Sequence, residues 1–231
     1  MQIHGFQKTT LLDFPGKVAC TVFTGGCNFR CPFCHNGNLV LAPADVPMIG
    51  QETVLAQLKK RKGILDGICI TGGEPMLQAD LPDFIRRVKA LGLSVKLDTN
   101  GYQPDILETL VRDGLLDYVA MDIKQCPEKY NFISQVRGFD FGKIKASVAF
   151  LMDGTLPFEF RTTVVKELHE KEDFEAIGAW LKGAPAYFLQ PYRDSEQVIL
   201  PGFSSYSDAE LVQIQDILLS RIPNTVIRGM T

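Results

Sequence analysis

The feature that most constrains the fold is a repeated alternation of short apolar runs with helical patterns. The runs Val18–Thr24, Gly67–Thr71, Ser94–Asp98, Tyr118–Ile123, Phe158–Val165 and Ala186–Gln190 are rich in Val, Ile, Phe and Tyr and are bounded by Gly, Pro or charged residues, as buried strands are. Between them lie helical patterns at Gln51–Arg61, Leu81–Leu91, Pro104–Asp113, Gly142–Leu151 and Asp173–Leu181, and Ser207–Arg221 follows the last run. Leu81, Phe84, Ile85 and Val88 share one helical face, as do Leu211, Ile214, Ile217 and Leu218. This order predicts an α/β protein of parallel strands joined by right-handed crossovers, either an open doubly wound sheet or part of a (β/α) barrel. With 231 residues, 45% of them hydrophobic, the chain can bury one substantial core, and residues 1–231 read as a single domain. No internal repeat or low-complexity segment is present. Pro43–Ile49 and Cys126–Asp140 read as loops, and Asp153-Gly154 opens a turn over Asp153–Pro157.

Parallel α/β folds gather their chemistry at the carboxyl ends of the strands. Polar or glycine-rich motifs stand there in this sequence. Gly25-Gly26-Cys27 follows the first run, Gly72-Gly73-Glu74-Pro75 the second and Asp98-Thr99-Asn100-Gly101 the third. Asp122 and Lys124 end the fourth, Arg161 lies within the fifth, and Gln190-Pro191-Tyr192-Arg193 closes the sixth.

Three of the six cysteines crowd into Cys27-Asn28-Phe29-Arg30-Cys31-Pro32-Phe33-Cys34. A loop of that length can fold three thiolates around one face of an iron–sulfur cubane, leaving one iron open to an external ligand. Two other readings compete. With His35 as fourth ligand the loop could hold a structural zinc, although zinc ligands usually come as two separated pairs. Alternatively the three are simply buried apolar residues, against which Asn28, Arg30, Asn36 and Asn38 argue by their polarity. Cys20 and Cys69 lie inside apolar runs and read as core, and Cys126 sits in a polar loop. No second cysteine run occurs, so one cluster is expected. His4 and His169 read as surface or capping residues, and Trp180 as core.

The glycines of Gly72-Gly73-Glu74-Pro75 let backbone approach a ligand, and Glu74 is placed to accept a hydrogen bond from a positive group on it. The same residues also suit a tight strand-to-helix turn with a carboxylate near a helix N-terminus. Asp98-Thr99-Asn100-Gly101 reads either as a pocket motif or as a turn. Lys124 is either a ligand partner or a solvated lysine, and Arg161 points inward to a charged ligand or snorkels outward.

Cys27-x3-Cys31-x2-Cys34, with aromatic Phe33 before the last cysteine, resembles the radical SAM superfamily signature. The opening Gly5-Phe6-Gln7-Lys8-Thr9-Thr10-Leu11-Leu12-Asp13-Phe14-Pro15-Gly16 and the later strand-end motifs extend the likeness across most of the chain. The chain is similar to anaerobic ribonucleoside-triphosphate reductase activating proteins and to pyruvate formate-lyase activating enzymes. The resemblance implies a partial (β/α)6 barrel and one [4Fe–4S] cluster on Cys27, Cys31 and Cys34. It also implies S-adenosylmethionine bound among Phe33, Gly72, Gly73, Glu74, Pro75, Asp98, Asn100, Asp122, Lys124 and Arg161, with Glu74's segment at the methionine amino group and Lys124 at its carboxylate. The implied activity is reductive cleavage of S-adenosylmethionine to a 5′-deoxyadenosyl radical, which installs a glycyl radical on a partner enzyme. Anaerobic ribonucleotide reductase is the first expected partner, and a flavodoxin or ferredoxin the electron donor. One departure stands out: Arg193 follows Pro191-Tyr192 where pyruvate formate-lyase activating enzymes have a histidine. The alternatives are a radical SAM enzyme for a small molecule, like 7-carboxy-7-deazaguanine synthase, and a non-catalytic metal-binding module. An activase must open its pocket toward a protein, and Cys126–Asp140 is the expected mobile segment.

A formal net charge of -3 gives no electrostatic pull toward nucleic acid. No apolar run approaches the ~20 residues of a membrane span, and Met1–Phe14 lacks the pattern of a signal peptide. The sequence therefore predicts a cytoplasmic protein.

Overall fold

The strand-and-helix alternation folds into one sheet. The computed structural model describes residues 1–154 and 156–229; Thr155, inside the expected turn segment, and the last two residues lie outside the described residues. The strands are β1 (Ile3–Thr10), β2 (Ala19–Thr24), β3 (Gly67–Gly72), β4 (Ser94–Thr99), β5 (Tyr118–Asp122), β6 (Phe158–Val164), β7 (Tyr187–Pro191) and β8 (Thr225–Ile227), paired in the order β1-β2-β3-β4-β5-β6-β7-β8. The helices are α1 (Gly37–Leu41), α2 (Gln51–Lys60), α3 (Leu81–Lys89), α4 (Pro104–Arg112), α5 (Tyr130–Ser134), α6 (Phe141–Met152), α7 (Lys171–Trp180) and α8 (Asp208–Leu219).

β2 through β8 run parallel, and β1 lies antiparallel on β2. Spatial order follows chain order without reversal, so there is no topological switch point of the doubly wound kind. The result is a partial barrel, open between β1 and β8. All six expected strands are present, and two more join them. β1 escaped the sequence reading because its residues IHGFQKTT carry little apolar periodicity and its register slips twice. β8 is three residues long, too short for any pattern. The five-residue helices α1 and α5 escaped for the same reason.

Alternate strand residues serve two environments. Cys20, Val22, Ile68, Ile70, Val95, Leu97, Val119, Met121, Phe160 and Leu189 are fully buried in the apolar core, with Leu81, Phe84, Ile85 and Val88 of α3 and Leu107 and Leu110 of α4. Their strand neighbours are Thr21, Cys69, Lys96, Asp98, Asp122, Glu159 and Arg161, so the other face is polar and charged. Capping fixes helix starts: Ser207 and Glu210 form a reciprocal capping box on α8, and Glu170 and Asp173 one on α7. Pro104 opens α4 at its first position, where no N–H is needed.

The Cys126–Asp140 segment corrects its expectation. It contains α5, buries Tyr130 and Ile133 completely, and stacks Phe139 between Tyr130 and Tyr102 at centroid distances of 5.7 and 5.3 Å. Arg30 N donates to the Ser134 carbonyl at 3.0 Å, so the segment is packed against the cysteine loop. His169 likewise is no surface residue: it is fully buried. His4 is half-buried, with Nδ1 2.9 Å from the Val46 carbonyl oxygen. Cys20 and Cys69 are core, as expected, and Cys126 is also buried, its thiol donating to Asp173 Oδ1 at 3.3 Å. Trp180 is half-buried on Tyr130 and Phe141.

Candidate active site

The carboxyl ends of β2 to β6 converge on one cavity. It encloses about 780 Å³ of empty space, counting the mouth open to solvent. Cys27, Cys31, Phe33, Cys34, Gly72, Gly73, Glu74, Asp98, Asn100, Asp122, Lys124 and Arg161 all line it. Of the residues expected at the site, Pro75 alone does not: it is buried behind Glu74, opening a short 3-10 turn.

The cysteine loop hangs between β2 and α1. Arg30 ties its own loop by donating from Nη1 to the carbonyls of Cys27 and Phe29, at 2.5 and 2.8 Å. A strap after β7 holds the far side: Leu200 N donates to the Pro32 carbonyl at 2.8 Å, Ile199 N to that of Cys34 at 3.2 Å, and Gly37 N to that of Gln197 at 3.0 Å. His35 joins the same strap, with Nε2 2.6 Å from the Arg193 carbonyl oxygen and its ring against Tyr192.

The three thiols are free and share the cavity wall. Burial pushes Cys27 up to about 11, with the Glu74 carboxylate adding to it, and Cys31 up to about 12 against the opposing pull of the Lys124 ammonium. Two N–H groups face the Cys27 sulfur: Phe29 N at 3.3 Å and Asn100 Nδ2 at 3.8 Å. Among the described residues, no three His, Cys, Asp or Glu side chains converge on one metal ion. Three free thiols on one loop, lining an open cavity, are a donor set that fits a cluster taking each cysteine on a different iron.

The glycine pair interlocks two loops. A Cβ on Gly73 would lie 1.9 Å from the Gly26 carbonyl oxygen, and one on Gly72, whose φ is +115°, 2.3 Å from Thr24 N. Gly73 N donates to Thr24 O and Glu74 N to Gly26 O, both at 2.8 Å, while Asn36 Nδ2 donates to the Gly72 carbonyl at 2.7 Å. The close approach that the sequence assigned to a ligand is thus already used against the base of the cysteine loop. Glu74 is 1% exposed, accepting from Met76 N (3.1 Å), Thr99 Oγ1 (2.9 Å) and Asn100 N (2.8 Å). Burial outweighs these donors and pushes its carboxyl up to about 7.

Charged groups line the cavity floor. Lys96 Nζ holds Asp98 Oδ1; Arg161 Nη2 donates to Asp98 Oδ2 at 3.0 Å; Arg161 Nε holds Asp122 Oδ1; Lys124 Nζ holds Asp122 Oδ2 at 2.9 Å. Burial alone would raise both carboxyls. The Arg161 guanidinium, helped by Lys96 at Asp98 and by Lys124 at Asp122, outweighs it and holds both below the usual carboxylate range. Burial would likewise lower Lys124, but Asp122 outweighs it and keeps the ammonium charged. Arg161 therefore points inward, and Lys124 is not a solvated surface lysine. Behind them His169 Nε2 donates to the Lys124 carbonyl at 3.0 Å while Nδ1 accepts from Val165 N at 3.2 Å; burial lowers its pKa and keeps it neutral.

The sequence reading missed Phe29, Asn36, Val40, Thr71, Thr99 and Thr163 as lining residues, whereas His35, weighed there as a metal ligand, does line the cavity. Thr71 and Thr163 stand two residues beyond Cys69 and Arg161 on their strands, so two-residue alternation could have found them. Nothing local marks Val40.

A partial parallel barrel with three free thiols on one strand-end loop, facing buried cations and carboxylates, defines an iron–sulfur enzyme site at the top of an α/β fold. Residues 21–181 match the Radical SAM superfamily, and the chain belongs to that superfamily. It is 31% identical over 98% of its length to a protein of Methanocaldococcus jannaschii named "Putative glycyl-radical enzyme activating enzyme", of which the match covers 95%. It is 33% identical to the pyruvate formate-lyase-activating enzyme of Listeria monocytogenes, over 56% of each chain. A crystal structure of Streptococcus suis SuiB superposes on 91% of this chain and 49% of its own, with a TM-score of 0.71 at 13% identity, and so shows the shared fold. The chain is an enzyme of this superfamily, which uses a [4Fe–4S] cluster and S-adenosylmethionine, and it is similar to activators of glycyl-radical enzymes. Among the described residues no helix is long and apolar enough to cross a membrane.

Proposed function

We propose that the chain is a single radical SAM domain that installs a glycyl radical on a partner enzyme, with anaerobic ribonucleotide reductase as the first candidate partner. The observation that carries this reading is the convergence of three unpaired thiols and the Asp98–Arg161–Asp122–Lys124 ion pairs on one open cavity, in a chain whose full-length relative bears an activating-enzyme name.

Cys27, Cys31 and Cys34 are the residues that would hold the cluster. When bound, the cluster and S-adenosylmethionine supply reductive cleavage to a 5′-deoxyadenosyl radical. The chain supplies orientation. Lys124, charged and facing the cavity, suits the methionine carboxylate of the cofactor, and the Gly73–Glu74 segment its amino group. Asn100 Nδ2 faces the Cys27 sulfur and steadies that ligand. Phe29 and Phe33 wall the cysteine side and keep water from it. A glycine of the partner would enter by the mouth, and a small electron-transfer protein, flavodoxin or ferredoxin, would supply the electron.

The test is anaerobic incubation of reconstituted protein with reductant, S-adenosylmethionine and candidate reductase, followed by EPR. A glycyl doublet on the reductase is the expected result. Release of 5′-deoxyadenosine with no doublet on any candidate partner would overturn the activase assignment in favour of a small-molecule substrate.

A further inference from the structure

Five charges at and beneath the cavity floor form an alternating row, Lys96–Asp98–Arg161–Asp122–Lys124, in which every carboxylate oxygen has one cationic partner. Four of the five line the cavity; Lys96 does not. It is buried on β4 at 2% exposure, and among the described residues its Nζ hydrogen-bonds, besides Asp98, only the Cys69 sulfur, at 3.8 Å. A lysine buried in a strand and out of a ligand's reach needs a reason beyond contact, because desolvating its charge is costly.

We infer that Lys96 is a positioning residue for the cofactor: by occupying Asp98 Oδ1 it limits Arg161 to the other oxygen and so sets the register of the whole row. An arginine fork binds a carboxylate best with two parallel N–H donors. With Oδ1 taken, Arg161 gives Asp98 one donor, Nη2, and keeps Nε on Asp122. Asp122 then has Oδ2 left for Lys124 Nζ, which holds the ammonium at the cavity wall. Remove Lys96 and the guanidinium is free to close on both Asp98 oxygens. Asp122 loses its partner and draws Lys124 down with both of its own.

This inference rests on the cavity being the S-adenosylmethionine site, so wild-type protein is tested first; a wild type that never binds S-adenosylmethionine sinks that reading and not the role of Lys96 alone. The variants are Lys96→Met, Lys96→Gln and Lys96→Arg, reconstituted anaerobically and matched for iron. Binding of S-adenosylmethionine is followed by the change it produces in the EPR spectrum of the reduced cluster, and KM and kcat for 5′-deoxyadenosine release are measured separately. Lys96→Met is expected to weaken binding about tenfold, as loss of a supporting partner does, to raise KM and to leave kcat in place; Lys96→Arg restores the affinity. Native affinity in Lys96→Met, or a fall in kcat at unchanged KM, overturns the proposal. If Lys96→Met does not fold or hold iron, Lys96→Gln takes its place, and native affinity there overturns it equally.

Discussion

Replacing Gly73 by alanine tests the interlock that seats the cysteine loop. The added Cβ would lie 1.9 Å from the Gly26 carbonyl oxygen and 2.7 Å from its carbon, both backbone atoms that no rotamer can move. An ordinary carbon–oxygen contact requires about 1.5 Å of separation more than this, so one of the two loops must shift. That shift breaks the bonds from Gly73 N to Thr24 O and from Glu74 N to Gly26 O. Two backbone hydrogen bonds at ~1 kcal/mol each, with ~1–3 kcal/mol of overpacking, give a loss of about 3–5 kcal/mol. Gly26→Ala is the matched control. Its φ is +81° but nothing lies within 4 Å of an added Cβ, so it bears only the left-handed backbone cost of ~1–2 kcal/mol. Urea denaturation of the iron-free proteins measures both; at a slope of ~2 kcal/mol/M, Gly73→Ala should lower the midpoint by about 2 M. Equal losses in the two variants would refute the interlock.

Cys31→Ala should abolish the brown colour and the iron and sulfide, about four of each per chain in the wild type; Cys126→Ala should keep them, and iron analysis after reconstitution separates the two. Glu74 gives a pH signature. Its folded carboxyl is raised from 4.5 to about 7 by burial, so the folded state holds the extra proton across that window and stability falls as pH rises through it. At ~1.4 kcal/mol per unit the fall is about 3 kcal/mol, and Glu74→Gln should abolish it; identical differences between pH 5 and pH 8 in urea titrations of the two iron-free proteins would contradict this. Asp98 and Asp122 run the other way: both are depressed, so their stabilisation is present above the ordinary carboxylate range and is lost as pH falls through their folded values. Arg161→Met takes from each of these carboxylates one of its two cationic partners, leaving Lys96 on Asp98 and Lys124 on Asp122, and should cost about 3 kcal/mol at neutral pH, with the deficit shrinking in acid as they protonate; a pH-independent deficit in the same titrations would argue that packing, not charge, was lost.

The α/β class, the strand and helix order and the polar strand ends were legible because each rests on local spacing. Apolar runs and amphipathic helices follow from two-residue and 3.6-residue periods, and Cys27, Cys31 and Cys34 from their mutual spacing on one loop. β1 and β8 were not legible: a polar edge strand and a three-residue strand carry no period. Cys126–Asp140 lacked a periodic signal, and its aromatic residues packed it down regardless.

What the sequence alone determined is which side chains stand at which strand ends, since a strand's direction and pleat fix that locally. Only the tertiary structure decided what those side chains do to one another. Glu74 is a buried crosslink between strand ends 25 and 26 residues apart in the chain. His169, expected on the surface, holds the Lys124 carbonyl from 45 residues away. Lys96, silent within an apolar run, heads a row of ion pairs that spans three strands. Such pairings depend on distances between elements remote in sequence, and a one-dimensional pattern does not contain those distances.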